Sequence, residues 1–191
     1  MNVYIIEFRR DIKSFISNAI HFFDKSDYTH SGIFIDRYFC ELDATDDYKD
    51  EPDYHITSYG DVANFLNTNP NRDRTEAYGV PHDFSDSQIG IDWWLGKESR
   101  NIKYGYDKLL RFIYLSNSTF FLKAYYKAKG HPYHPIGDSD NDNVCSEAVG
   151  LCLKRMGWWI SDYDKRYDYL LPETVYPGLY AECLKDFRYT S

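Results

Sequence analysis

The chain has 191 residues, of which 43% are hydrophobic, 27% charged and 18% aromatic. That is the size and composition of one globular domain, residues 1–191, and it disfavours disorder and coiled coil. A chain of this length buries roughly 70% of its unfolded surface, enough for a core and a cleft without disulfide staples. With 22 Lys and Arg against 30 Asp and Glu, the net charge of −8 speaks against gripping phosphate backbones, so nucleic acid is not an expected partner.

Cys40, Cys145, Cys152 and Cys183 are too few for a disulfide framework and suit reduced thiols. The first ten residues carry no cationic start followed by a long apolar stretch. Apolar runs stay below about ten residues, against the ~20 a bilayer helix needs. No integral membrane segment and a cytoplasmic location are therefore expected.

In chain order, Val3 to Phe8 reads as a strand, and Ile12, Phe15, Ile16, Ile20 and Phe23 recur at helical spacing along Asp11 to Asp24. Ser31–Ile35 and Tyr38–Leu42 are β-prone runs separated by Asp36-Arg37, which predicts a tight hairpin with His30 at its mouth. The acidic Asp43–Asp53 and the polar Asn67–Arg74 read as surface loops around a strand and a short helix. Ser85–Lys97 and Tyr106–Ala128 carry helix-like apolar groupings joined near Tyr104-Gly105. The turn-rich Gly130–Asn143 leads to a helix from Cys145 to Met156, with Asn143 as its predicted N-cap. A last short helix is expected near Tyr180 to Phe187.

The chemistry is concentrated at Cys145. A cysteine in the first turn of a helix meets unpaired backbone N–H groups and the positive end of the helix dipole, which favour thiolate, the nucleophilic form. The same N–H groups can cradle the oxyanion of an acyl-transfer intermediate. A thiol nucleophile needs a base. His30 stands at a strand edge beside small Ser31 and Gly32, which are expected to leave room for substrate.

Tyr28-Thr29-His30-Ser31-Gly32-Ile33-Phe34-Ile35, followed much later by Cys145-Ser146-Glu147, resembles the circularly permuted papain-like hydrolases, in which histidine precedes cysteine. Their relatives are the NlpC-type cell-wall peptidases and the lecithin-retinol acyltransferases. Leu95-Gly96-Lys97 with Tyr104-Gly105-Tyr106-Asp107 is similar to the family's Gly and Tyr-Asp element but spread over more residues, and Leu171-Pro172-Glu173-Thr174 resembles its downstream turn. The likeness spans roughly Ile16 to Tyr180 and rests on the joint order of these motifs. It implies an α+β, permuted papain-like fold with an antiparallel sheet packed against the nucleophile-bearing helix, and a residue orienting the imidazole on the strand after the histidine's strand. On that strand Glu41 and Asp43 alternate onto one face, where a carboxylate can hold the useful tautomer, with Glu41 the choice and Asp43 the reserve.

The expectation is a thiol hydrolase of amide bonds, with Cys145 as nucleophile, His30 as general base and Glu41 as its orienting partner. The resemblance implies peptide or peptidoglycan-type substrates. The alternatives are an esterase or acyltransferase on lipid or ester acyl groups, and a catalytically silent binding protein presenting its acidic loops and aromatic surface. No cofactor or metal is implied. Asp138, Asp140 and Asp142 alternate like a calcium loop, but Asn143 and Val149 occupy the positions that need Gly and a bidentate Glu. His131 and His134 lack a second ligand pair for zinc. Glu147 is expected to serve the helix dipole, and Ser146 to support the first turn.

Overall fold

The computed structural model describes residues 2–13, 17–18, 21, 26–43, 53–100, 102, 104–105, 144–168, 175 and 177–190. Runs of β-branched and aromatic residues form β1 (Val3–Arg9), β2 (Tyr28–Ile35), β3 (Tyr38–Leu42), β4 (Tyr54–Ser58) and β5 (Thr75–Gly79), with α1 (Val62–Thr68) between the last two. They make one antiparallel sheet in the order β4-β3-β2-β1-β5. Then come α2 (Gln88–Ser99), α3 (Cys145–Arg155), α4 (Ile160–Tyr163) and α5 (Leu179–Cys183). The protein is an α+β structure.

Both sheet faces are covered, which is why the central strands read as continuous apolar runs rather than strict alternation. On one face Ile5, Ile33, Ile35, Cys40 and Leu42 pack with Ile91 and Trp94 of α2 and with Ala148, Val149, Cys152 and Leu153 of α3. On the other, Ile6, Phe8, Phe34, Phe39 and Ala77 meet Val62 and Phe65 of α1. The N-cap of α1 is Asp61, whose carboxylate accepts the Asn64 N–H at 2.7 Å. The predicted hairpin is present, and Asp36 turns it at φ 55°, a left-handed position that Asp tolerates.

Several expectations change. Ile12 lies in a turn and is 75% exposed, so it does not belong to an inward apolar stripe. Phe15, Ile16, Ile20 and Phe23 lie outside the described residues, as do 44–52, 106–143 and 171–174. In α2, Ile91 and Trp94 are buried while Ile89 and Leu95 face outward. Strand β5 went unrecognised because Thr75-Glu76-Ala77-Tyr78-Gly79 puts a carboxylate and a terminal glycine where an apolar run would mark a strand. The C-terminal chain covers its outer edge: Tyr189 N–H donates to Ala77 O at 2.8 Å, and Arg188 bridges Tyr78. No helix among the described residues is long and apolar enough to cross a membrane.

Candidate active site

The site begins at an irregularity in β2. Phe8 of β1 pairs with His30, but Arg9 pairs with Tyr28, so one step on β1 spans two on β2. Such a bulge re-aims the side chains at the start of the strand. The His30 ring packs 5.1 Å from the Phe8 ring, centroid to centroid, and its Nε2 lies 3.1 Å from Glu41 Oε2. Glu41 pairs directly with Gly32, so its reach to His30 is diagonal across the ladder. The Gly32 space is not free for substrate: a Cβ there would meet the Phe39 ring at 2.6 Å. Ser31 is fully buried and donates to Glu7 at 2.8 Å. The expectation that small residues beside His30 leave a substrate channel is therefore overturned, because the core itself fills that volume.

Cys145 opens α3, packed beneath β2. The N-cap is Val144, in extended conformation, rather than Asn143, which lies outside the described residues. Valine has no side-chain acceptor, so the capping falls to Glu147, whose carboxylate accepts the Val144 N–H at 3.1 Å. Ser146 does more than support the first turn: its hydroxyl is buried and donates to Val175 O at 2.6 Å, tying the helix start to the C-terminal chain. Ala148, Val149, Cys152 and Leu153 face inward, while Leu151 is half-buried.

The fold closes the 115 positions between His30 and Cys145. The Cys145 side chain lies near enough to the His30 ring to act on its charge. Burial disfavours a charged imidazole, but the nearby Cys145 and the Glu41 carboxylate outweigh it and hold His30 well above the usual histidine range. The carboxylate on the His30 ring is that of Glu41 rather than Asp43.

One component that the sequence reading left out of the site is Tyr104. Its phenol lies beside Cys145, near enough for the side chain and backbone of that residue to act on its ionisation, and its own N–H donates to Asp53 Oδ2 at 2.5 Å. Burial, then the Cys145 charge and hydrogen bond, then Asp43, keep this phenol neutral well beyond the ordinary tyrosine range. The sequence signal was only the Tyr-Gly pair, indistinguishable from a helix joint. The remaining thiols are core groups: burial pushes Cys40 far up, Cys152 to about 12 and Cys183 to about 11.

Cys145 is only 2% exposed, whereas the His30 and Glu41 side chains keep 23% and 27%. The open side of the site is the imidazole side. Among the described residues no group of three His, Cys, Asp or Glu is placed to hold a metal ion; His131 and His134 lie outside them. No family model matches the chain, and no curated protein matches its sequence.

Proposed function

We propose that the protein is a cysteine hydrolase of amide bonds on a permuted papain-like scaffold, acting on peptide or peptidoglycan-type substrates. The observation that carries this reading is His30 Nε2 at 3.1 Å from Glu41 Oε2, with Cys145 near enough to act on the charge of the same ring. Nucleophile, base and orienting acid are the parts that thiol acyl transfer requires.

In this reading the Cys145 sulfur, its proton passed to His30, attacks the amide carbonyl carbon. The tetrahedral oxyanion is received by the Cys145 backbone N–H at the head of α3 and by the Tyr104 hydroxyl beside it. The C–N bond breaks as the His30 imidazolium returns its proton to the departing amine, leaving a thioester. Water then attacks that thioester while His30 takes the water proton. The acid departs, and the proton goes back to sulfur. Glu41 keeps the ring oriented and stabilises its charged form throughout.

The first test needs no substrate. Iodoacetamide alkylation of Cys145 at pH 6.5 is expected to fall about tenfold or more in His30→Ala, because the free thiol is a poor nucleophile. Equal rates in both proteins sink the proposal. Panels of cell-wall peptides and acyl esters, with Cys145→Ala as control, then separate amide from ester chemistry.

A further inference from the structure

The two residues that follow the site's histidine and cysteine in sequence are both tied to one short stretch of C-terminal chain. Ser146 donates to Val175 O at 2.6 Å. Ser31 donates to Glu7 Oε2 at 2.8 Å, and that same oxygen accepts the Gly178 N–H at 3.2 Å. Gly178 sits at φ 90°, a left-handed position that favours glycine, where the chain turns into α5.

Glu7 is an anomalous residue for the middle of a central strand. It is 0% exposed, flanked in the ladder by Ser31 of β2 and Glu76 of β5. Its other oxygen, Oε1, is buried without a hydrogen-bond partner. A packed core favours an apolar residue at such a position, and a buried charge without a cation is costly.

We propose that Glu7 is a positioning residue of the hydrolase site, an uncharged clamp that joins the strand of His30 to the Gly178 turn and thereby fixes the imidazole over Cys145. This rests on the cysteine hydrolase reading. Both clamp bonds are accepted by Oε2, so the acid proton belongs on Oε1, where an unpartnered hydroxyl costs less than an unpartnered anionic oxygen. Burial pushes this carboxyl up to about 8, against the downward pull of the Ser31 and Gly178 bonds and of His30. The groups facing it are His30 on β2, Glu76 on β5, whose charge is shared by Arg9 and Arg188, and the buried Tyr180 phenol of α5.

The sign of the linkage follows. In the unfolded chain the carboxyl ionises near its ordinary value of 4.5, while in the folded protein it keeps its proton to about 8. Stability is therefore lost progressively as pH climbs between those values. Glu7→Gln copies the neutral acid, with one acceptor for Ser31 and Gly178 and no proton to lose. Glu7→Ala removes the acceptor.

Two measurements decide it. In Glu7→Gln the urea midpoint is expected to lose a large part of the wild-type fall between pH 5 and 8, and Cys145 alkylation at pH 6.5 to stay within about twofold of wild type. In folded Glu7→Ala that alkylation is expected to drop about tenfold, the equivalent of one lost hydrogen bond of ~1.4 kcal/mol. If Glu7→Ala does not fold, Glu7→Asp, one methylene short of Ser31, carries the same expectation. Superimposable pH dependences in wild type and Glu7→Gln, or unchanged alkylation in the acceptor-loss variant, overturn the proposal. Wild-type alkylation indifferent to His30→Ala overturns the hydrolase reading instead, and the pH dependence of the urea midpoint then still decides whether Glu7 is an uncharged clamp.

Discussion

His30 and Glu41 meet across the β2–β3 ladder on a diagonal: Glu41 pairs with Gly32, yet its Oε2 reaches back to His30 Nε2 at 3.1 Å. Gly32 makes this possible. It projects no side chain between them, and a Cβ there would meet the Phe39 ring.

The diagonal contact gives the first expectation. Glu41→Gln keeps the shape of the acceptor but removes its charge, so the imidazolium loses one of the two acids that hold it. Amide cleavage is expected to fall about tenfold or more, with KM little changed, since a unit of pKa is ~1.4 kcal/mol. Both side chains are partly exposed, which keeps the loss moderate. Asp43→Asn, which leaves the His30 bond intact, is expected to cost little. Steady-state kinetics on the two variants check this, and a larger loss in Asp43→Asn contradicts it.

The pH profile follows from the same pair. Leaving-group protonation needs the imidazolium, and His30 is held in that form above the usual histidine range. Activity is therefore expected to persist above pH 6.5 and to fall only as pH rises through the elevated His30 value. In Glu41→Gln the alkaline limb moves down. The contribution of the charged ring to stability runs in the same direction, complete at low pH and lost on the alkaline side. A limb that stays in place when Glu41 is neutralised contradicts the assignment.

Tyr104→Phe separates oxyanion binding from nucleophile activation. In the proposed mechanism the hydroxyl acts on the oxyanion, which forms only in acyl transfer, rather than on the neighbouring thiol. Turnover is expected to drop about 10²-fold with KM nearly unchanged. Iodoacetamide alkylation, which forms no tetrahedral oxyanion, is expected to stay close to wild type. Equal losses in the two assays would place Tyr104 in nucleophile activation instead.

Two structural substitutions test the scaffold. Gly32→Ala drives a methyl into the Phe39 ring, and such overpacking costs about 1–3 kcal/mol. Ser146→Ala leaves the Val175 carbonyl without its buried donor, at a similar cost of about 1–3 kcal/mol. Urea denaturation of each variant reads both.

What could be read without coordinates is uneven along the chain. The β2–β3 hairpin was legible because β-branched and aromatic runs flank a two-residue turn. The Cys145 helix was legible because its apolar residues recur at helical spacing. Strand β5 was not, since Glu76 earns its buried place through Arg9, Arg188, Tyr28 and Tyr78, partners scattered from residue 9 to residue 188. The N-cap was misplaced by one residue because a capping carboxylate three positions downstream substitutes for a polar cap.

The amino-acid sequence by itself determined which groups are chemically able to act: a cysteine at a helix start, a histidine on a strand and acids on the neighbouring strand. Local periodicity and residue chemistry are sufficient for that. Only the tertiary structure decided that Glu41 rather than Asp43 meets His30, that Tyr104 reaches Cys145, and that Glu7 joins β2 to the Gly178 turn. Those contacts depend on a bulge, a missing Cβ and the folding together of residues up to 171 positions apart, and none of these distances is encoded in any one stretch of chain.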